Sequence, residues 1–260
     1  MTTYISDDAP ELKMTPRQAM VVCPGGGYHF LSDREAEPIV KMFFAAGMNV
    51  FLLRYTIKKG DVEGAKDYAP LIEAALSIKH IREHAEEYHI DPAQVFICGF
   101  SAGGHLAASA GILWNIPEVK AALGDAPEGI GKPTGMVLSY PVITGFEYAH
   151  RGSIDNLCGK KDNTKEEIMR YSLEYHVDET TSPAFIWHTF TDRCVPVQNS
   201  LLLADAMAKV HVPFELHIFP EGPHGLALCN KETWSENPAM VQPVCEQWIN
   251  MAIRWVKQFK

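Results

Sequence analysis

The sequence predicts an α/β chain with a largely parallel central sheet and helices on both of its faces. Three observations point there. Apolar runs of strand length alternate with helix-like segments along most of the 260 residues, and such alternation makes crossover connections between parallel strands. Hydrophobic residues make up 47% and charged residues 21%, as in a globular chain with a sizeable core. A glycine-flanked serine, Gly99-Phe100-Ser101-Ala102-Gly103, sits where an apolar run passes into a helix-like stretch.

Taken in order, residues 19–23 read as a strand, followed by Pro24-Gly25-Gly26-Gly27-Tyr28. A helix over 35–46 is entered through Ser32-Asp33-Arg34-Glu35, a capping-box pattern, and Pro38 pushes its start later by a turn. Residues 49–55 form the second strand and 68–88 a long amphipathic helix. Asp91-Pro92 turns the chain into the strand Val95-Phe96-Ile97-Cys98, which leads to Ser101 and a helix over 102–110. Residues 115–133 read as a loop rich in Pro and Gly. Strands follow at 135–140, 183–189 and 213–219, the last two separated by a helix over 200–210. A helix over 240–258 closes the chain. No repeat divides the sequence, so 1–260 is expected to form one domain. The segment 142–182 breaks the alternation and reads as a small cap or insertion.

The net charge is −9 with no basic cluster, which argues against nucleic-acid and anionic-membrane partners. No apolar run is long enough to span a bilayer, and the first residues lack the basic and apolar regions of a signal peptide. A cytoplasmic location is the expectation. The six cysteines are scattered without a C-x-x-C pair, which favours free thiols over disulfides, zinc or redox chemistry.

Gly99 to Gly103 fit G-x-S-x-G. A serine on a tight turn between strand and helix is lifted clear of the sheet, beside a helix N-terminus that favours negative charge. Its hydroxyl needs a base to attack a carbonyl, and the base needs an orienting acid. The expected order is Ser, acid, His, each after a strand. Asp192 follows the strand 183–189 and His224 follows 213–219, so both fall where ligands bind in such sheets. His188 and His217 lie inside strands. His105 comes too early in the chain, Glu221 too close to His224, and Asp178 at the wrong end of its strand. The glycines after the first strand expose N–H groups suited to an oxyanion, and the N–H of Ala102 adds another. That loop lacks both G-x-G-x-x-G and a phosphate-binding lysine.

With these residues placed, the chain resembles the α/β-hydrolase superfamily. Within it, it is similar to the hormone-sensitive-lipase-like esterases and the bacterial acetyl esterases, including acetylxylan-esterase-like proteins. The matching residues are Gly25-Gly26-Gly27, Gly99 through Leu106, the Asp192 segment and Pro223-His224-Gly225. Pro24 stands where the lipase-like branch usually has histidine, and this favours the small acetyl esterases. The resemblance implies the α/β-hydrolase fold, a Ser101-His224-Asp192 triad, and an oxyanion hole made by Gly26, Gly27 and Ala102. It further implies a carboxylesterase of short acyl esters, with acetyl esters of sugars or small metabolites as substrates and no metal or organic cofactor. Some edge strands of the full sheet are either missing or come from residues 1–18. A serine peptidase of the prolyl-oligopeptidase type shares this constellation but carries a propeller domain, and none is expected within residues 1–260. A non-catalytic binding relative would usually lose a member of the triad. Tyr28, His29, Trp187 and the segment 142–182 are candidate pocket walls. That segment carries Lys160, Lys161, Asp162, Glu166 and Glu167, which reads as a solvated connection, not a lipid-seeking lid.

Overall fold

The computed structural model describes residues 1–7, 11, 16–58 and 67–259. Its elements run β1 (Thr2–Tyr4), β2 (Arg17–Cys23), α1 (Glu37–Ala45), β3 (Asn49–Leu52), α2 (Ala69–Glu83), β4 (Ile90–Phe100), α3 (Ala102–Ile112) and α4 (Pro117–Leu123). They continue with β5 (Met136–Ser139), α5 (Arg151–Cys158), α6 (Lys165–Arg170), β6 (Ala184–Thr189), α7 (Gln198–Lys209), β7 (Phe214–Phe219), α8 (Pro243–Glu246) and α9 (Trp248–Val256). The strands form one seven-stranded sheet in the order β1-β3-β2-β4-β5-β6-β7. Strands β2 to β7 pair in parallel. β1 pairs antiparallel with β3, Thr2 opposite Leu52, and supplies an edge strand from the N-terminal residues.

Side chains alternate across a strand, and here each face buries its own core. Val21, Ile97, Leu138 and Ile186 pack with α2, α3 and α7 through Leu71, Ile78, Leu106 and Leu203. Val22, Cys98, Val137 and Trp187 face the other way, against Phe43 of α1 and Trp248 and Trp255 of α9. This two-sided burial explains why the strands read as continuous apolar runs.

Several boundaries differ from the sequence expectation. Ser32 makes no side-chain cap bond; a 3-10 turn spans Asp33–Glu35, and α1 starts at Glu37 with Pro38 in its first turn. Proline tolerates that place because the first N–H groups of a helix lack intrahelical partners. β3 is shorter than expected, and α2 ends at Glu83. Asp91-Pro92 lies within β4, where the pairing with β2 shifts register between Arg17 and Ala19, and does not form a preceding turn. The stretch read as a loop over 115–133 contains α4, opened by Pro117 and closed by Gly124 at φ 64°. The closing helix is broken into a 3-10 turn over Pro238–Met240, then α8 and α9. Pro243 accounts for the break, because it fits a first turn and not a helix interior. The segment 142–182 holds α5, α6 and a 3-10 turn over Leu173–Tyr175. Asn156 Nδ2 of α5 donates to Gly27 O at 2.8 Å, which seats that helix against the glycine loop.

Candidate active site

The loops that leave β2, β4, β6 and β7 converge at the carboxyl edge of the sheet. Ser101 caps β4 at φ 53°, a conformation that a non-glycine residue holds only under local constraint. The flanking glycines explain how the turn closes. A Cβ on Gly99 would lie 2.0 Å from Gly103 O, and one on Gly103 would lie 2.2 Å from Cys23 O. Ser101 N–H donates to Ser139 O at 3.0 Å, so β5 fixes the turn from the other side.

The structure brings Ser101, His224 and Asp192 into one hydrogen-bonded line. Ser101 Oγ lies 2.8 Å from His224 Nε2, and His224 Nδ1 lies 2.7 Å from Asp192 Oδ2. The carboxylate accepts at Nδ1, so the proton sits there and Nε2 is left to accept from the serine. Asp192 Oδ1 accepts the N–H groups of Cys194 at 2.9 Å and Val195 at 3.0 Å. Burial by itself raises the pKa of this carboxyl. Hydrogen bonds from His188 and His224 outweigh burial and hold it well below the usual carboxylate range.

His188 is a strand residue, as expected, and it is fully buried. Its Nε2 donates to Val195 O at 2.9 Å and lies 3.3 Å from Asp192 Oδ2. Its Nδ1 accepts the Ser200 hydroxyl at 2.8 Å. A core histidine therefore also backs the acid, which position in the chain does not reveal. His217 pairs with Glu215 at 2.7 Å, away from this line.

Among the described residues, the N–H groups of Gly26 and Gly27 donate to no protein acceptor. Ala102 opens α3, where first-turn N–H groups have no partner within the helix. Gly26 and Gly27 line a cleft of about 400 Å³ together with His29, Phe30, Ser101 and His224. Gly26, Gly27 and Ser101 thus border one space, with Ala102 next to Ser101 in the chain.

Two of the expected pocket walls are corrected. Trp187 is fully buried, stacked on Trp248 at 5.0 Å with its Nε1 on Ser139 Oγ. Tyr28 is 1% exposed, and its hydroxyl donates to His105 Nδ1 at 2.9 Å. Both rings turn inward because each buries a large apolar surface and finds a polar partner for its tip. His29 does line the cleft. Sequence reasoning did not single out His150, Asn156 or Glu35 as cleft residues. His150 Nδ1 accepts from Ser153 Oγ at 2.8 Å, which leaves its proton on Nε2. Burial, then the proximity of His224, lowers its pKa. His150 and Asn156 do fall in the segment 142–182 expected to wall the pocket, but no sequence pattern singles them out within it, and none marks Glu35, which the fold carries to the site from a distant segment.

A separate hollow of about 240 Å³, lined by Trp114, Lys120 and Glu128 among others, contains no serine, cysteine or histidine. Among the described residues no group of three or more His, Cys, Asp or Glu side chains is placed to hold a metal ion. No described helix is long and apolar enough to cross a membrane.

The family model described as BD-FAE matches residues 8–207. The endo-1,4-beta-xylanase B of Butyrivibrio fibrisolvens is 38% identical over 221 residues, covering 84% of this chain and 34% of that protein. The acetylxylan esterase of Xylanibacter ruminicola is 30% identical over 213 residues, covering 80% of this chain and 41% of that protein. The chain thus spans well under half the length of these two curated relatives. Among solved structures, the acetyl ester-xyloside bifunctional hydrolase from Caldicellulosiruptor lactoaceticus superposes with a TM-score of 0.81 at 34% identity. That match covers 98% of this chain and 86% of the other.

Proposed function

Since the chain belongs to the BD-FAE family, within the α/β hydrolases, we propose that it is a serine carboxylesterase of short acyl esters. The observation that carries this reading is Ser101 Oγ at 2.8 Å from His224 Nε2, in a cleft also lined by Gly26 and Gly27, whose N–H groups have no protein acceptor among the described residues. Acetyl esters of sugars or small metabolites are the proposed substrates. Two of the similar proteins support this choice, one being an acetylxylan esterase and the other an acetyl ester-xyloside hydrolase.

In this reading His224 Nε2 takes the Ser101 proton as Oγ attacks the ester carbonyl. Asp192 holds the imidazole in the Nδ1–H tautomer and stabilises the imidazolium that forms. The carbonyl oxygen becomes an oxyanion and accepts from the N–H groups of Gly26, Gly27 and Ala102, each donor of this kind being worth about 2.7–4 kcal/mol. The imidazolium returns the proton to the leaving alcohol. Water then attacks the acyl-enzyme, with His224 again as base, and the acid is released. No step in this sequence calls on a metal or organic cofactor. The partner is the small-molecule ester itself. We place the protein in the cytoplasm, a reading supported by six cysteines that all remain free thiols.

The test is Ser101→Ala assayed on nitrophenyl acetate, with circular dichroism to confirm the fold. Turnover is expected to fall on the order of a million-fold, because a triad acts as a unit. A folded variant that keeps more than roughly a tenth of the wild-type turnover overturns the reading.

A further inference from the structure

Glu35 is 3% exposed and sits beside the candidate active site. Among the described residues no cation lies within ion-pair distance of it. An unpaired buried carboxylate is costly unless its lone pairs are filled by hydrogen bonds. Both of its oxygens are filled. Oε2 accepts Gly25 N–H at 2.9 Å, and Oε1 accepts the Tyr140 hydroxyl at 2.7 Å. The Tyr140 oxygen in turn accepts the N–H of Ala227 at 2.9 Å. Gly25 opens the glycine loop, and Ala227 lies three residues beyond His224. The Tyr140 ring also packs edge-on against the His224 ring, with centroids 5.0 Å apart.

The rest of the turn grips the same two loops. Ser32 N–H donates to Gly25 O at 3.0 Å. Arg34 Nη1 donates to Gly225 O at 2.7 Å and to Thr233 O at 3.1 Å. The room beside Gly25 is used up: a Cβ there would lie 2.6 Å from Glu35 Oε2 and 2.7 Å from Phe100 O. The 32–35 turn, read from sequence as a helix cap, thus spends its carboxylate on the loops that carry the oxyanion donors and the base.

We propose that Glu35 is a positioning residue that, through Gly25 on one side and Tyr140 on the other, sets the distance between the oxyanion N–H groups and His224. The catalytic part of this statement rests on the esterase reading above. Glu35 does not touch the reacting atoms. It acts on the geometry that stabilises charge in the transition state, so its loss falls on kcat and leaves substrate binding nearly unchanged. A carboxamide cannot replace it. Gln has one acceptor oxygen, and its NH2 group must face either the Gly25 N–H or a Tyr140 oxygen already occupied by Ala227.

The experiment compares Glu35→Gln, Tyr140→Phe and the double variant with wild type and Ser101→Ala. Misplacing donors by a fraction of an ångström is expected to lower kcat about ten- to a hundred-fold in each single variant. KM should stay within roughly threefold of wild type. Both substitutions cut one link, so the double variant should be little worse than the poorer single one. Hydrogen exchange of the Gly25, His29, Phe30 and Ser32 amides, which are hydrogen-bonded within this loop, should speed up in both single variants. A folded Glu35→Gln with wild-type kcat and unchanged exchange overturns the proposal, as do losses that multiply in the double variant. Should Glu35→Gln fail to fold, Tyr140→Phe, which removes only a hydroxyl, decides by the same two readouts. If wild type shows no Ser101-dependent turnover, the esterase reading fails instead, and exchange alone decides whether Glu35 holds the loop.

Discussion

At 1% exposure His105 has no water to solvate a charge. Burial pushes its pKa from the ordinary 6.5 down to about 4, partly offset by its bond to the Tyr171 carbonyl. Nε2–H donates to that carbonyl at 2.9 Å, and Nδ1 accepts the Tyr28 hydroxyl. The neutral ring therefore ties α3 to the glycine loop on one side and to the 142–182 segment on the other. The unfolded chain takes up a proton near pH 6.5, whereas the folded ring resists until about pH 4. The stability held by this group is thus complete above about pH 6.5 and lost as pH falls toward 4, a difference of roughly 3 kcal/mol. Denaturant midpoints of wild type and His105→Gln, measured across that window, should converge as pH falls. A gap that stays constant from pH 7 to pH 4 would mean that the ring is not buried neutral.

The turn between β4 and α3 depends on side chains that are absent. Gly103→Ala drives a Cβ to 2.2 Å from the Cys23 backbone oxygen, where two elements at the centre of the sheet cannot separate without repacking. A loss of about 2–4 kcal/mol is expected, within the range of severe overpacking. Gly152 of α5 is the contrast. Its added Cβ would meet only His150 Cε1, at 3.6 Å, so Gly152→Ala should change stability by about 0.5 kcal/mol or less. Calorimetry on the pair would contradict the packing argument if the two melted alike. The glycines around Ser101 were legible because the constraint is local. The short helix α4 was hidden because its Pro117 and Gly124 boundaries look like loop residues when the helix between them spans only Pro117–Leu123. The capping-box reading of Ser32 to Glu35 failed for a different reason. Gly25 and Tyr140 compete for the carboxylate, and a motif within one segment cannot register that competition.

Across the whole molecule, the cleft is a product of assembly. Its walls come from the loops after β2, β4, β6 and β7 and from α5. Polar and small residues dominate them: Gly26, Gly27, His29, His150 and Asn156, with Phe30 as the large apolar member. Each buried methylene of an acyl chain gains only about 0.8 kcal/mol, and only where an apolar wall receives it. Acetyl and propionyl nitrophenyl esters should therefore exceed octanoyl esters in kcat/KM at equal, sub-saturating concentration. Octanoyl esters turned over faster would refute the short-acyl reading and leave the Ser101 assignment standing.

Local chemistry and chain order were enough to read the alternation of strands and helices, the glycine-flanked Ser101, and Asp192 and His224 after their strands. A strand end in a parallel sheet has a fixed place relative to the others, so position in the chain stands in for position in space. Which residues back that constellation depends on contacts between distant segments. Tyr140 reaches Glu35 across 105 residues and Asn156 reaches Gly27 across 129, and no spacing rule covers such distances. Tyr28 and Trp187 sit next to the site in the chain yet face the interior. Whether a side chain at a strand end points into the cleft or the core is settled by the elements packed against it, and those are assembled only when the chain folds.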